Sequence, residues 1–132
     1  FARRGLVVDF GGSWTLPRII GIHKAKELMM TTSEINGEKL NDLGILYKLT
    51  EKNNLTKELD KLISLLNEQS FVSICMIKDQ IRKGLDLNFK DTLELEQINQ
   101  NSRFVHTDAA EGMASFIEKR KPAYKDRLDD EI

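Results

Sequence analysis

The sequence predicts a mainly α-helical chain, and three observations support this fold class. Apolar residues recur at intervals of three and four through most of the second half, as on one face of a helix. Polar caps and glycines separate these periodic segments at spacings typical of helix ends. Only residues 45–50 form a continuous strand-like run, so any sheet that this run joins must be built from strands outside the sequence.

The first element is a short, poorly periodic segment that ends in a glycine turn. Residues 1–9 are predicted to be extended or turn structure, and they place Asp9 two residues before Gly11 and Gly12. These two glycines carry no Cβ, which allows a tight turn and a close approach of the backbone to a ligand. Ser13 follows the turn, and its hydroxyl is predicted to cap the first helix.

Two helices and the strand candidate complete the first third of the chain. Apolar residues at helical spacing predict helices over 13–20 and 22–31, with Gly21 as the break between them. Asn36 is predicted to cap a short helical turn. The strand candidate at residues 45–50 comes directly after that turn.

The second half is predicted to be helical throughout. One amphipathic stripe starts after an asparagine cap at Asn54, and another runs on to Gly84, which is well placed as a helix stop. The final helix starts at Asp108, and Glu111 lies three residues later, at the spacing of a capping box. The predicted helices cover residues 55–66, 71–84, 88–101 and 108–122.

The composition indicates one globular domain and excludes several partners. The chain has 132 residues, of which 40% are hydrophobic and 31% charged. Twenty Lys and Arg nearly balance 21 Asp and Glu, so we expect no nucleic-acid partner. No apolar run approaches 18 residues and no signal-like amino terminus is present, which predicts a cytoplasmic protein without a membrane partner. Cys75 is the only cysteine and excludes an internal disulfide.

Motifs for several kinds of chemistry are absent from the sequence. The two histidines and one cysteine have no metal-ligand spacing, so no metal site is expected. Phosphate-binding loops, dinucleotide-binding glycine patterns and the G-x-S-x-G elbow do not occur. Asp9 is therefore the main candidate for a reacting group. A buried carboxylate there could hold and return a proton, but an aspartate before a glycine turn is also a common turn residue, and the local sequence alone favours that structural interpretation.

Two motifs favour a reacting Asp9 over a purely structural one, because together they resemble a known family. The stretch GLVVDFGGSWTLPRIIG starts at Gly5, and HTDAAEGMASFIEKRKPAY starts at His106. In combination they resemble the second half of crotonase-family proteins, the enoyl-CoA hydratases and isomerases. The resemblance implies the carboxy-terminal part of the ββα spiral fold, with residues 1–52 as the end of the spiral core. Residues 53–132 would then be a helical assembly region that builds a trimer or a dimer of trimers.

The resemblance also implies an acyl-CoA substrate, with coenzyme A as part of that substrate and no further cofactor. Family members stabilise a thioester enolate with two backbone N–H groups, which belong to a part of the pattern that precedes Phe1. Hydratases use two glutamates, and the second of them matches Phe1, which cannot transfer a proton. Asp9 matches the acid of isomerising members, so an isomerase is favoured over a hydratase. A nucleophilic acid, as in the family's dehalogenases, remains an alternative.

Three further residues receive roles from the resemblance. Lys119 matches a lysine that hydratases extend toward the adenosine or phosphate end of coenzyme A. Trp14 and Leu16 follow the Asp9 turn and are expected in the acyl pocket, although ordinary core packing explains them equally well. Gln100 stands where some hydratases carry an aromatic residue, which leaves the adenine contact open.

A second hypothesis treats the chain as a free-standing helical interaction module without catalysis. The chain begins at Phe1 inside an apparent motif, which suggests a fragment. Under the enzyme hypothesis, the isolated chain is expected to be inactive and to self-associate through exposed apolar surface.

Overall fold

A computed structural model describes residues 1–126, and this part of the chain is mainly α-helical, as predicted. The described residues divide into two compact units, 1–55 and 56–126. The α-helices that the described residues form are α1 (Gly12–Ile20), α2 (Ile22–Thr31), α3 (Gly37–Asp42), α4 (Leu55–Asn67), α5 (Phe71–Gly84), α6 (Phe89–Phe104) and α7 (Thr107–Glu118). The predicted division at residue 52, between the spiral core and the assembly region, stays a prediction.

The strand predicted at residues 45–50 is wrong. These residues have irregular backbone after α3, and residues 1–126 contain no strand. The N–H group of Ile45 donates instead to the carbonyl of Leu40 at 3.1 Å, which closes the end of α3. A strand is stable only when a neighbouring strand pairs with its backbone groups, and the described residues supply no such neighbour.

The first unit is built on the contact between α1 and α2. The predicted break between these helices is confirmed at Gly21, which has a φ of +80° and donates its N–H to Pro17. Ala25 is buried in α2. A short 3₁₀ turn, Ala2–Arg4, is held to the end of α2 because the Arg3 guanidinium donates to the hydroxyl oxygen of Thr32 at 2.6 Å and to its carbonyl at 3.1 Å.

Helix starts agree with the sequence in one place and differ in two others. Asn36 accepts from the Lys39 N–H at 2.9 Å, so the predicted cap is confirmed. The helix predicted to start at Asn88 begins at Phe89, and Asn88 caps it by accepting from the Asp91 N–H at 3.0 Å. The predicted cap at Ser13 is wrong, because α1 begins one residue earlier. Gly11, in the left-handed region at a φ of +75°, is the N-cap residue, and it provides no side-chain hydrogen bond.

In the second unit, α5 contacts α6 and α6 contacts α7. The predicted stop of α5 at Gly84 is confirmed, and α6 extends three residues beyond the predicted end, to Phe104. Val72 of α5 is fully buried. Most large apolar side chains of this unit are exposed within it, including those on the stripe of α4. This surface is of the kind that proteins cover with other segments or other subunits.

We predict that Gly12→Ala destabilises the protein. A Cβ at this position would lie 2.6 Å from Cγ1 of Val8, so the Val8 side chain or the backbone before the turn must shift. Overpacking of this kind typically costs about 1–3 kcal/mol in the free energy of unfolding, measurable by urea denaturation.

Two further variants test whether the clash with Val8 causes the loss of stability in Gly12→Ala. Gly84→Ala is the matched control, because its Cβ would meet Thr92 at an ordinary 3.6 Å and alanine favours a helix. Adding Val8→Ala to Gly12→Ala should recover part of the lost stability. Wild-type stability in Gly12→Ala would show that Val8 does not pack against the turn.

Candidate functional site

The Asp9 turn places a carboxylate directly before the first helix. The carbonyl of Asp9 accepts a hydrogen bond from the Gly12 N–H at 2.9 Å, which closes the turn. Phe10 and Gly11 both lie in the left-handed region, at φ values of +51° and +75°. The Asp9 side chain is exposed in its unit and has no hydrogen bond to another residue of 1–126. The burial that would favour a proton shuttle is therefore not supplied by the first unit itself.

The first two turns of α1 carry the predicted acyl-pocket residues. Trp14 is 41% exposed and Leu16 is half-buried. The Arg18 guanidinium lies 3.9 Å from the centre of the Trp14 ring and donates to the Trp14 carbonyl at 3.0 Å. Such a cation–π contact fixes the orientation of the indole. The Trp-x-x-x-Arg spacing on one helix face was the signal in the sequence for this pair, and the acyl-pocket role of Trp14 and Leu16 stays a prediction.

Lys119 terminates α7 in the second unit, in the left-handed region at a φ of +53°. It begins a run of three basic residues, and the next two are already engaged. Arg120 makes a two-pronged pair with Glu111, at 2.5 and 2.9 Å, and Lys121 lies 2.6 Å from Glu68. Among the described residues, no acidic side chain pairs with Lys119. Its ammonium group is thus available for an anion.

The motif at Asp108 and Glu111 holds the segment that follows α7. Asp108 accepts the N–H groups of Lys125, at 2.7 Å, and Asp126, at 3.2 Å. Glu111 accepts the Ala123 N–H at 2.7 Å as well as pairing with Arg120. We refer to residues 119–126 as the return segment, because these contacts fold it back along α7.

The capping box predicted for Asp108 and Glu111 is therefore wrong. Helix α7 starts at Thr107, and its N-cap residue is His106, whose side chain makes no cap hydrogen bond. Both carboxylates lie inside the first turns of the helix and bond to the return segment. A spacing of three residues is typical of a capping box, but here it belongs to two carboxylates that bond to a segment further along the chain.

A buried ion pair completes the attachment of the return segment. Arg103 of α6 and Asp126 lie 2.5 Å apart, and the Thr107 hydroxyl donates to Asp126 at 2.7 Å. The Thr107 hydroxyl and the Arg103 guanidinium hold the pKa of Asp126 below its usual value. Arg120 and the Ala123 N–H lower the pKa of Glu111 to about 2. The sequence alone did not indicate the Arg103–Asp126 pair, whose members are 23 residues apart.

The predicted site residues are thus distributed over both units. Asp9, Trp14 and Leu16 belong to the first, and Lys119 belongs to the second. Within residues 1–126, no cluster of three or more potential metal ligands occurs. In the same part of the chain, no helix has the length and apolar character needed to cross a bilayer.

The resemblance noted in the motifs is confirmed by comparison with known families. The model of the family described as "Enoyl-CoA hydratase/isomerase" matches residues 1–127. The chain belongs to the enoyl-CoA hydratase/isomerase family. A free-standing helical module unrelated to enzymes is accordingly disfavoured.

Curated relatives include both isomerases and a hydratase. The chain is similar to the trans-2-decenoyl-[acyl-carrier-protein] isomerase of Streptococcus mutans, with 35% identity over 94% of this chain and 47% of the relative. It is 29% identical to the 1,2-epoxyphenylacetyl-CoA isomerase of Escherichia coli, over 94% and 47%. It is 27% identical to the crotonyl-CoA hydratase of Syntrophomonas wolfei, over 89% and 45%. The chain spans about half the length of the curated relatives it matches.

Solved structures of enoyl-CoA hydratases also align with nearly all of this chain and with about half of their own length. An enoyl-CoA hydratase from Polaromonas sp. JS666 aligns with a TM-score of 0.89 and 29% identity, over 95% of this chain and 49% of that structure. A Geobacillus kaustophilus hydratase subunit aligns with a TM-score of 0.89 and 28% identity, over 96% and 49%. The arrangement of helices is therefore that of part of the crotonase fold, as the motifs implied.

We predict that acid releases the return segment at a lower pH than ordinary carboxylates would allow. Because the pKa values of Glu111 and Asp126 are lowered in the folded state, their stabilisation is complete above the usual carboxyl range near pH 4. It is lost only as the pH falls through the lowered values, which for Glu111 is about 2. The NMR chemical shift of the Ala123 amide, which donates to Glu111, should move between pH 4 and pH 2.

Glu111→Gln supplies the comparison for this titration. Glutamine keeps an acceptor for the Ala123 N–H but loses the charge that pairs with Arg120, so the Ala123 amide shift should already differ at pH 7. A wild-type midpoint near pH 4.5 would contradict the ion pair.

Proposed function

We propose that the protein that carries this chain is an acyl-thioester isomerase in which Asp9 transfers the proton. The observation that carries the proposal is the placement of the Asp9 carboxylate. It is exposed beside a tight turn at the start of α1, and no described residue occupies it with a hydrogen bond. A carboxylate that no structural contact uses is available to a substrate.

In the proposed reaction, the Asp9 carboxylate removes a proton from a carbon made acidic by the thioester carbonyl. The electron pair moves into the thioester, and an enolate forms. Asp9 then returns the same proton to a carbon further along the acyl chain, so the double bond migrates and no atom is gained or lost. The backbone N–H groups that stabilise the enolate in this family lie in a part of its pattern that precedes Phe1.

Two observations favour isomerisation over hydration. By the resemblance, Phe1 stands where hydratases carry their second glutamate, and a phenyl ring cannot activate water. Two of the relatives above are named as isomerases, including the one that is 35% identical. Hydration is the second candidate, supported by the similarity to a crotonyl-CoA hydratase.

We propose Lys119 as the contact to the carrier end of the thioester. The two cations beside it are paired with Glu111 and Glu68, whereas Lys119 has no acidic partner among residues 1–126. A free ammonium group suits a phosphate. Coenzyme A and acyl carrier protein both present a phosphopantetheine phosphate, and the relatives' names include both carriers. We favour coenzyme A, because the lysine motif resembles that of hydratases acting on it.

The assembly and location are part of the same proposal. We propose a homo-oligomer, a trimer or a dimer of trimers, because large apolar side chains such as Leu59, Val105 and Phe116 are exposed in the second unit. We further propose a cytoplasmic enzyme of fatty-acid metabolism.

Asp9→Asn is expected to abolish proton transfer and to leave the fold intact. The amide has a similar size but cannot accept a proton at neutral pH, and loss of one essential acid or base typically lowers the rate by roughly 10²–10⁴. The assay is double-bond migration in a 3-enoyl-CoA by the intact protein, with circular dichroism to verify folding. Wild-type turnover by the variant would remove Asp9 from the mechanism.

Substitutions at Lys119 should separate binding from stability. Lys119→Ala and Lys119→Gly both remove the ammonium group, and each should weaken acyl-CoA binding by roughly tenfold, the value of a charge-assisted hydrogen bond. Glycine also relieves the left-handed backbone and should raise the free energy of unfolding by about 1 kcal/mol. Calorimetric titration and urea denaturation measure the two effects.

Lys121→Ala is the control for the Lys119 variants. Its lysine pairs with Glu68, so this variant should bind acyl-CoA as the wild type does. An equal loss of affinity in Lys119→Ala and Lys121→Ala would mean that the whole basic run acts as a diffuse charge.

A further inference from the structure

We infer that Glu111 is a positioning residue for acyl-CoA binding, which fixes the backbone turn that carries Lys119. This inference rests on the proposed function, in which Lys119 contacts the carrier end of the thioester. Glu111 and Lys119 both belong to the second unit, at the two ends of a set of contacts within that unit. Glu111 does not itself contact the ligand, and it acts through the residues that follow Lys119.

The turn at Lys119 has a backbone conformation that usually belongs to glycine. Lys119 lies in the left-handed region at a φ of +53°, and its N–H donates to the Phe116 carbonyl at 3.4 Å. The Arg120 N–H donates to the Ser115 carbonyl at 3.1 Å. This pair of bonds is a Schellman motif, in which a Cβ at the left-handed residue is unfavourable. A strained position of this kind persists only where surrounding contacts hold it.

Glu111 supplies the contacts that hold this turn. Its carboxylate accepts two hydrogen bonds from the Arg120 guanidinium, at 2.5 and 2.9 Å, and a third from the Ala123 N–H at 2.7 Å. The Nε–H of Arg120 donates to Glu118 at 2.5 Å. A two-pronged pair of planar charged groups has one favourable geometry. Glu111 therefore fixes the chain immediately after Lys119.

The rest of the return segment has its own attachments to α7. A Cβ on Gly112 would lie 3.1 Å from the hydroxyl oxygen of Tyr124, so the tyrosine lies against the helix at a residue without a side chain. Asp108 accepts the N–H groups of Lys125 and Asp126. Loss of the Glu111 contacts should therefore loosen residues 119–123 and leave the end of the segment attached.

A fixed turn raises the affinity for a phosphate because the lysine loses less conformational freedom on binding. When the turn is loose, the binding arrangement is populated for only part of the time, and the affinity falls by that fraction. The direct effect of charge has the opposite sign. Removing the negative charge of Glu111 would by itself favour an anionic ligand. The direction of the change in affinity therefore separates positioning from simple electrostatics.

Calorimetry with octanoyl-CoA on the intact protein tests this inference without the reaction, because this ligand has no double bond to move. Glu111→Gln should weaken binding by roughly threefold to tenfold, and by no more than Lys119→Ala does. In a Lys119→Ala background, the same substitution should cause no further loss. In the turnover assay, the KM of Glu111→Gln should rise while kcat is unchanged, because the proposed contact involves a non-reacting part of the substrate.

Glu68→Gln is the matched control, since it makes the same change in charge and removes the acidic partner of Lys121 in the same basic run. This variant should bind octanoyl-CoA at least as tightly as the wild type. Arg120→Lys is a second test variant, which keeps the positive charge and loses the two-pronged geometry. It should show the same loss of affinity as Glu111→Gln, and circular dichroism verifies folding of every variant.

Unchanged or tighter octanoyl-CoA binding in Glu111→Gln and Arg120→Lys would overturn the inference. So would an equal loss with and without Lys119, which would mean that Glu111 supports another part of the site. Wild-type affinity in Lys119→Ala would remove the proposed carrier contact and this inference with it. Wild-type turnover in Asp9→Asn would remove the isomerase mechanism alone, since the binding measurements do not involve proton transfer.

Discussion

The helices of this chain depend on covering apolar faces that their own units leave exposed. Ala25 and Val72 are the hydrophobic residues that the described part of the chain buries fully. Helix α4 shows the constraint most clearly, because its apolar stripe is exposed while its opposite face is charged. An amphipathic helix gains most of its stability from the burial of such a stripe. The chain spans about half of each curated relative, so both the absent part of the family's fold and further subunits are candidate coverings.

Within the second unit, charged side chains hold the return segment in place, and Val72 is the buried hydrophobic residue among those described. The carboxylates of Asp108 and Glu111 accept backbone N–H groups of the return segment, and Arg103 pairs with Asp126 at its end. Arg120 also takes part in these contacts and Lys121 pairs with Glu68, so within the run 119–121 only Lys119 has no acidic partner among residues 1–126. The anchoring of the return segment and the availability of a cation for a phosphate therefore have the same cause.

The sequence by itself determined the features that depend on neighbouring residues. The cap at Asn36 and the break at Gly21 follow from hydrogen bonds and backbone preferences within a few positions. Helical periodicity located α4 and the end of α5 for the same reason. The family was also readable from the sequence, because its two motifs are long.

Only the tertiary structure decided features whose partners lie far apart in the sequence. The strand-like run at residues 45–50 is irregular because propensity cannot supply a pairing strand. Asp108 and Glu111 serve the return segment, about 12 to 18 residues away, and a local spacing rule could not distinguish this from a cap. The Arg103–Asp126 pair has no local signature at all. A short-range sequence pattern indicates which hydrogen bonds a side chain can form with its neighbours in the chain. Tertiary packing determines whether the side chain bonds to a distant group in place of those neighbours.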